Sequence, residues 1–537
     1  MRRIPFWLPI WLFVAGASIF LHGPMPLFST RTLTVAWEMW QLGEWLIPHQ
    51  NGVPYSHKAP LLYWLIHMGW AVGGVSDVWP KILEILLSAL VLGLSSQLTR
   101  QLFPHKPKVT ALIPWVMMGF AYFFLFSLQI MFELLLTSCV LLVLIALTTR
   151  DSHKHIKPRW GWVAVALSLG LLCKGPVMLL HVAFPILFAP FWVTDRSVRF
   201  RQWYGNALLS IIGALVLFSL WALPAAILGG EAYRQDLLIN QTAGRVVAAF
   251  DHARPWWWYL SISPLLLFPW FFWRSAWSGM LSAKNMERTQ GFRFALAWII
   301  PTLITFSLIS GKQAYYIIPL LTGFAIVLAT TSVHLEERSP QCFRHLSAAF
   351  VFILLGLIIA ALPQLTLQFA TQTSFFVREF AKAGPWFGIA IMSIGLLLAI
   401  KPMQISQFIP VLSCAGLFSI ALLHWQFSWS VWKNYDLQPA ANLIAKHAAE
   451  GREIANMATY EGQFHFLARL KKPITPLVNP AEQRAWASQH PNDIVIDYID
   501  PKDANKNPTA YPIMTTPFRS NVLQIWYARD WLMSKNN

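Results

Sequence analysis

Apolar stretches near or above the roughly 18 residues that mark a membrane-crossing helix recur from residue 6 to about residue 425, and then stop. Hydropathy separates about thirteen of them: roughly 6–22, 79–98, 109–126, 127–148, 160–175, 178–194, 206–228, 256–273, 293–309, 313–332, 346–364, 384–400 and 407–425. Few folds are open to such a chain. Hydrocarbon offers backbone groups no water, so each run must satisfy its own hydrogen bonds as a helix. Composition agrees, since 56% of residues are hydrophobic, 12% are charged and 28 are tryptophan. The expectation is a polytopic α-helical membrane protein of about 13 transmembrane helices.

The formal charge of +17 would suggest nucleic acid in a soluble protein. Its location argues otherwise. Residues 433–537 carry only +2, which leaves +15 on the membrane part. With a cytoplasmic N-terminus, alternate loops collect Arg2, Arg3, Arg100, Lys106, Lys108, Arg150, Lys154, Lys157, Arg159, Arg196, Arg199 and Arg201. Arg274, Lys284, Arg288, Arg293, Arg338, Arg344 and Lys401 fall on the same side. The opposite loops hold about half as many, so the positive-inside rule sets the orientation and no nucleic-acid partner is expected. An odd number of crossings puts the C-terminal hundred residues outside. The first run lacks a small-residue cleavage site and reads as an uncleaved span. Four scattered cysteines, none after residue 432, imply neither a disulfide framework nor a thiolate metal site.

Outward segments 23–78, 229–255 and 365–383 are too long for turns. In the first, "TRTLTVAWEMWQLGEWL" has helical spacing and places Arg31, Thr34 and Glu38 on one face of a helix lying in the interface. "KAPLLYWLIHMGWAVGG" reads as a second such helix. Residues 433–537 change character to alternating short helices and strands, the pattern of a small α/β domain following a membrane domain at 1–432.

Ionisable groups near the outer surface are the chemical signal, because a charge in hydrocarbon costs about 2.5–3.5 kcal/mol on insertion scales. Glu133, in "QIMFELLLTSC", has no basic neighbour in sequence. Lys58 stands between Pro54 and Pro60, beside Tyr55. Lys174 in "LLCKGPV" and Lys312 in "LISGKQAYYIIPL" occupy short outward turns, and "GRVVAAFDHARPWWWYL" adds Arg245 and Arg254. Single cations on separate outward turns suit an anionic ligand better than they suit ordinary loop charge.

These segments resemble a known group. "VAWEMWQLGEWLIPHQNGVPYSHKAPLLYW", "MFELLLT", "LLCKGPV", "RVVAAFDHARPWWWYL" and "SGKQAYYIIPL" match, in order, five landmarks of bacterial GT-C glycosyltransferases of the 4-amino-4-deoxy-L-arabinose transferase and protein O-mannosyltransferase-like group. The resemblance covers residues 1 to about 425. It implies transfer of a sugar from a polyprenyl-phosphate (undecaprenyl-phosphate) donor to a lipid A, lipopolysaccharide or protein acceptor, at the periplasmic face of a bacterial inner membrane. Arg31, Lys58, Arg245 and Lys312 would surround the donor phosphate, with Lys174, Arg254 and Tyr316 beside them. Fixed cations in a dry pocket stabilise a phosphate leaving group as the glycosidic bond breaks.

One departure stands out. The group carries an Asp-Glu pair two residues ahead of the arginine that matches Arg31, whereas here Phe28 and Ser29 occupy those positions. The base then falls to Glu133, Glu38 or His57. A divalent cation beside the phosphate is compatible with these carboxylates and His57, although no spacing identifies a metal site. The competing readings are a non-catalytic relative that binds the lipid carrier or assists a partner, and a transporter. The second fits less well, because the charges gather at one face and no repeat is visible.

Overall fold

The computed structural model describes residues 5–152, 155–237, 253–282, 289–369, 373–503 and 510–535. The first helices are α1 (Trp7–Ile19), α2 (Ser29–Leu42), α3 (Leu61–Gly73), α4 (Val78–Leu102), α5 (Pro107–Gly119), α6 (Ala121–Ser127), α7 (Glu133–Leu147), α8 (Trp160–Lys174) and α9 (Val177–Leu187). Further long helices follow at Phe200–Leu228, Gln290–Leu308, Leu320–Arg338, Leu346–Gln368, Trp386–Ile400 and Ile405–Ser430. Among the described residues, five helices are long and apolar enough to cross a membrane, and seven if each of two bent pairs counts as one. Five shorter apolar helices accompany them.

Some runs are not the straight spans that hydropathy suggests. Run 109–126 bends by 68° between α5 and α6, where Phe120 is extended and the Ala121 amide donates to the Phe268 carbonyl at 3.1 Å. Run 127–148 becomes helical only at Glu133, because residues 128–132 form a turn. Run 313–332 starts its helix at Leu320, after a 3-10 turn at Ala314–Ile317. Hydropathy sums apolarity and is blind to a change of direction.

Polar groups inside the bundle are largely satisfied within it. Ser95, Thr99, Thr137 and Ser138 donate back to the carbonyl four residues earlier, and Ser95 also meets Thr322 at 2.8 Å. Helices Leu346–Gln368 and Trp386–Ile400 touch backbone to backbone at Gly356 and Gly388. A Cβ on Gly388 would lie 2.3 Å from the Ala360 nitrogen, so small residues are required there.

Two strands, β1 (His49–Gln50) and β2 (Val53–Pro54), form a hairpin between α2 and α3. Its turn residues Asn51 and Gly52 have φ of 57° and 77°, the Asn-Gly geometry that suits a two-residue hairpin. After the bundle, β3 (Ile454–Asn456), β4 (Thr475–Pro476), β5 (Ile494–Ile499), β6 (Met514–Phe518) and β7 (Asn521–Tyr527) make one sheet in the order β4-β3-β5-β7-β6. β3 runs parallel to β4 and β5, while β7 is antiparallel to β5 and β6. Strand alternation sends Ile494, Ile496, Leu523 and Ile525 to one face and Val495 and Trp526 to the other. Helices Gln438–Ala449, Pro480–Gln489 and Ala528–Lys535 complete this unit.

The unit rests on α2 and the hairpin. Thr34 Oγ1 donates to the Gly462 carbonyl at 2.7 Å, and Trp37 Nε1 donates to that of Leu470 at 2.9 Å. Asn51 bonds Ile474 reciprocally: its Nδ2 donates to the carbonyl at 2.9 Å and its Oδ1 accepts the amide at 2.8 Å.

Candidate active site

The centre of the site is a buried ion pair. Lys174 ends α8 and bonds Glu133, the first residue of α7, and both side chains are almost wholly enclosed. Desolvating two charges is costly, so such a pair persists only when each offsets the other. The Lys174 ammonium also lies 5.2 Å from the Tyr315 ring and 5.1 Å from the Tyr316 ring, a cation–π arrangement from two faces. Glu133 is thus partnered by a lysine distant in sequence, as a carboxylate at that depth requires.

Lys58 reaches the same place from the first outer segment, its ammonium 5.7 Å from the centre of the Phe132 ring, next to Glu133. Its backbone is placed by the hairpin: the Tyr55 amide donates to the Pro48 carbonyl at 2.7 Å, closing the ribbon just ahead of it. Tyr63, one helical turn on, packs edge-on against Phe132 at 5.4 Å. His57 is exposed and stacks on Tyr55, with ring centres 5.0 Å apart.

Lys312 is 3% exposed and spends two of its three donors on carbonyls, that of Arg254 at 2.9 Å and that of Ile309 at 2.5 Å. Burial pushes its ammonium below the ordinary lysine range. The Arg254 amide donates in return to the Ser310 carbonyl, so these two matched segments are laced together. The Arg254 guanidinium lies 6.0 Å from the Trp258 ring. Arg245 lies outside the described residues.

Arg31 and Glu38 lie on one face of α2, as their spacing predicts, and that face meets the C-terminal unit. Arg31 pairs with Glu461, while its Nε is buried without a partner among the described residues. Glu38 caps the hairpin turn. One carboxylate oxygen accepts the Asn51 amide at 2.6 Å and the other accepts that of Gly52 at 2.8 Å. Burial raises the Glu38 carboxyl and these two amides draw it back down. His465 Nε2 lies 3.9 Å away, and burial lowers that imidazole to about 4. Glu38 therefore holds the turn that delivers Lys58, a task its sequence position alone does not reveal.

Glu84 on α4, which sequence spacing does not single out, is 1% exposed. Its Oε1 accepts the Met131 amide at 3.1 Å, and it is an electrostatic neighbour of Glu133. Lys81, three residues earlier, looks like its partner by spacing, but binds Asp77 at 2.8 Å and the His22 carbonyl at 3.0 Å instead. Among the described residues one group, Glu453, His490 and Asp493, brings metal-ligand atoms within 4.8 Å of one another. It sits in the C-terminal unit and includes none of the site residues.

Four of the five matched segments, at 58, 133, 174 and 312–316, thus meet through side-chain contacts, and Arg254 joins the fifth to them. Comparison with solved structures decides the fold. Crystal structures of ArnT from Cupriavidus metallidurans, in the apo state and bound to undecaprenyl phosphate, superpose with TM-scores of 0.74 and 0.73 over 97% of both chains, at 14% and 16% identity. The chain shares the fold of these two ArnT structures. Its sequence relatives agree. The chain is 26% identical over 487 residues to the undecaprenyl phosphate-alpha-4-amino-4-deoxy-L-arabinose arabinosyl transferase 1 of Pseudomonas fluorescens (strain Pf0-1), covering 88% of this chain and 81% of that one. It is 30% identical over 324 residues to the arabinosyl transferase of the same description from Pseudomonas aeruginosa (strain UCBPP-PA14), covering 57% of this chain and 55% of that one. No family model matches this chain.

Proposed function

We propose that this protein is a membrane glycosyltransferase that moves a sugar from a polyprenyl-phosphate donor to a lipid A, lipopolysaccharide or protein acceptor, as a multi-pass protein of the bacterial inner membrane. One observation carries the reading: turns far apart in sequence bring Lys58, Glu133, Lys174 and Tyr316 into one cluster, with Glu133 buried and the other three half-buried around it. Lys58 and Lys312 hold the donor phosphate, with Arg31, Arg245 and Arg254 around it and the Lys174 ammonium adding to the local positive field. Negative charge grows on that phosphate as the glycosidic bond breaks, and cations already in place stabilise it without reorganising. Glu133, with one oxygen unpartnered among the described residues, is the favoured base, and Glu38 and His57 are the others.

The reading includes thirteen crossings, a cytoplasmic N-terminus, interfacial helices at 23–78 and a periplasmic α/β domain from residue 433. Support comes from bonds between loops. Lys106–Glu337, Lys108–Glu336, Arg150–Gln290 and His155–Asp195 each join loops assigned to the cytoplasm, whereas Lys312–Arg254 and Lys174–Glu133 lie at the opposite end.

Transfer from sugar-charged polyprenyl phosphate in proteoliposomes tests this. The parent transfers sugar, Lys58→Ala raises KM for the donor and Glu133→Gln lowers kcat by about 10²-fold or more, the scale of a lost general base. A parent that binds the lipid carrier and transfers nothing would instead favour a non-catalytic carrier-binding relative, the reading to which Phe28 and Ser29 point.

A further inference from the structure

The turn at residues 128–132 carries the two residues on which the site depends, Phe132 under Lys58 and then Glu133. Two consecutive amides of this turn are held from outside it. Ser29 Oγ accepts the Ile130 amide at 3.1 Å, and Glu84 Oε1 accepts the Met131 amide at 3.1 Å. Ser29 is one of the two residues standing where the resemblance implies an acidic pair, so a hydroxyl grips the turn where a carboxylate is expected. The buried carboxylate comes from α4. Glu84 is 1% exposed, its Oε2 has no partner among the described residues, and neither has Oε2 of its electrostatic neighbour Glu133.

An enclosed carboxyl with one oxygen unsatisfied is costly and is rarely kept for packing alone. A leucine would fill this part of α4 more cheaply. We propose that Glu84 is a positioning residue for the transfer reaction: it fixes the 128–132 turn through Met131 and sets a second carboxyl beside the Lys174–Glu133 pair, taking over the part of the missing first-loop acid. Glu84 acts through Glu133. The inference rests on the proposed function above.

The decisive variant is Glu84→Gln, which keeps the shape and an acceptor for the Met131 amide but removes the ability to carry a negative charge or exchange a proton. Transfer is measured in proteoliposomes for the parent, Glu84→Gln, Glu84→Asp, Glu133→Gln and the double glutamine variant. The expected result is a kcat lowered about 10- to 100-fold in Glu84→Gln, a donor KM within about threefold of the parent, and partial recovery in Glu84→Asp. In the Glu133→Gln background the same change has little further effect, because residues acting as a unit are not additive. A Glu84→Gln variant as active as an active parent overturns the inference and leaves the proposed function standing, as does a loss that multiplies fully with that of Glu133→Gln. An inactive parent overturns both. Should Glu84→Gln lose activity with its thermal midpoint in detergent lowered and Glu84→Asp give no recovery, the role is packing and the inference fails.

Discussion

Lys174 and Glu133 keep 7% and 4% of their side-chain surface, which separates them from the ion pairs on the outside of the molecule. Removing one member of such a pair leaves a buried charge uncompensated, at a cost of about 3–5 kcal/mol, whereas replacing both with apolar side chains costs far less. Lys174→Met is therefore expected to lower the detergent unfolding midpoint more than Lys174→Met combined with Glu133→Leu, with both variants inactive; denaturation followed by tryptophan fluorescence checks the order. Arg31 and Glu461 illustrate the opposite regime. Their side chains are 35% and 45% exposed, so the pair is worth no more than about 1 kcal/mol. A phosphate, with more charge and more acceptors than a carboxylate, can displace Glu461 from Arg31. Glu461→Gln should leave stability within about 1 kcal/mol and lower the donor KM about two- to fivefold, an effect read in steady-state transfer; an unchanged or higher KM would show that Arg31 does not meet the phosphate. Residue chemistry was partly legible in the sequence. A lone Glu133 in an apolar run demands a partner, but which lysine supplies it is a fact of three dimensions. Glu84 does not look isolated in sequence, because Lys81 stands three residues before it at salt-bridge spacing, yet that lysine binds Asp77 instead.

At the scale of elements, the face of α2 bearing Arg31, Thr34 and Glu38 was readable from helical spacing, yet its use was not. Periodicity identifies a face without naming what covers it, and here the cover is a sheet unit more than 400 residues downstream. The Asn51-Gly52 turn joins the same contact: a Cβ on Gly52 would lie 2.7 Å from Pro473 Cγ. His465 sits in this junction, 2% exposed, with its Nδ1 2.7 Å from the Tyr460 hydroxyl and Glu38 the nearest carboxylate to its Nε2. Its folded pKa of about 4 lies below the ordinary 6.5. Between these values the open form binds the proton and the docked form does not, so docking is strongest above pH 6.5 and weakens as pH falls toward 4, by about 3 kcal/mol in all. Below that both forms are protonated and the slope ends. Burial raises the Glu38 carboxyl, which gives an opposing term: as pH falls, the docked form takes up that proton first. Hydrogen exchange isolates the histidine. Protection factors for amides in residues 29–42 should fall from pH 6.5 to 4 in the parent, and fall measurably less in His465→Gln.

The molecule as a whole is organised by which end of the bundle faces which compartment. Hydropathy and the positive-inside rule predict that organisation, whereas the bend at Phe120 is hidden in a run of uniform apolarity and the one between Phe375–Ala381 and Trp386–Ile400 falls where an outward segment meets the next run. Orientation can be tested with a cysteine already present. Cys342 is exposed, Cys139 and Cys173 are buried and Cys414 is half-buried, so a membrane-impermeant maleimide has one favoured native target among them. Cys342 lies in the loop joined to the 401–404 loop by the Phe343–Met403 backbone bridge, and both loops fall on the Lys/Arg-rich side. An ammonium or guanidinium on that side stays where it was made, since carrying it across hydrocarbon costs more than leaving it. In spheroplasts Cys342 should resist the reagent until the membrane is permeabilised. A cysteine at the exposed Ser488, introduced in a Cys342→Ser background, should react before permeabilisation. Labelling of both positions from outside would break the odd count of crossings, and labelling of Cys342 alone would invert the protein. Either result would put the Lys58–Glu133–Lys174 cluster at the wrong surface for an acceptor outside the inner membrane. Reaction at Ser488→Cys alone places the lipid phosphate, the cations and the sheet unit resting on α2 in one compartment, as the transfer reaction requires.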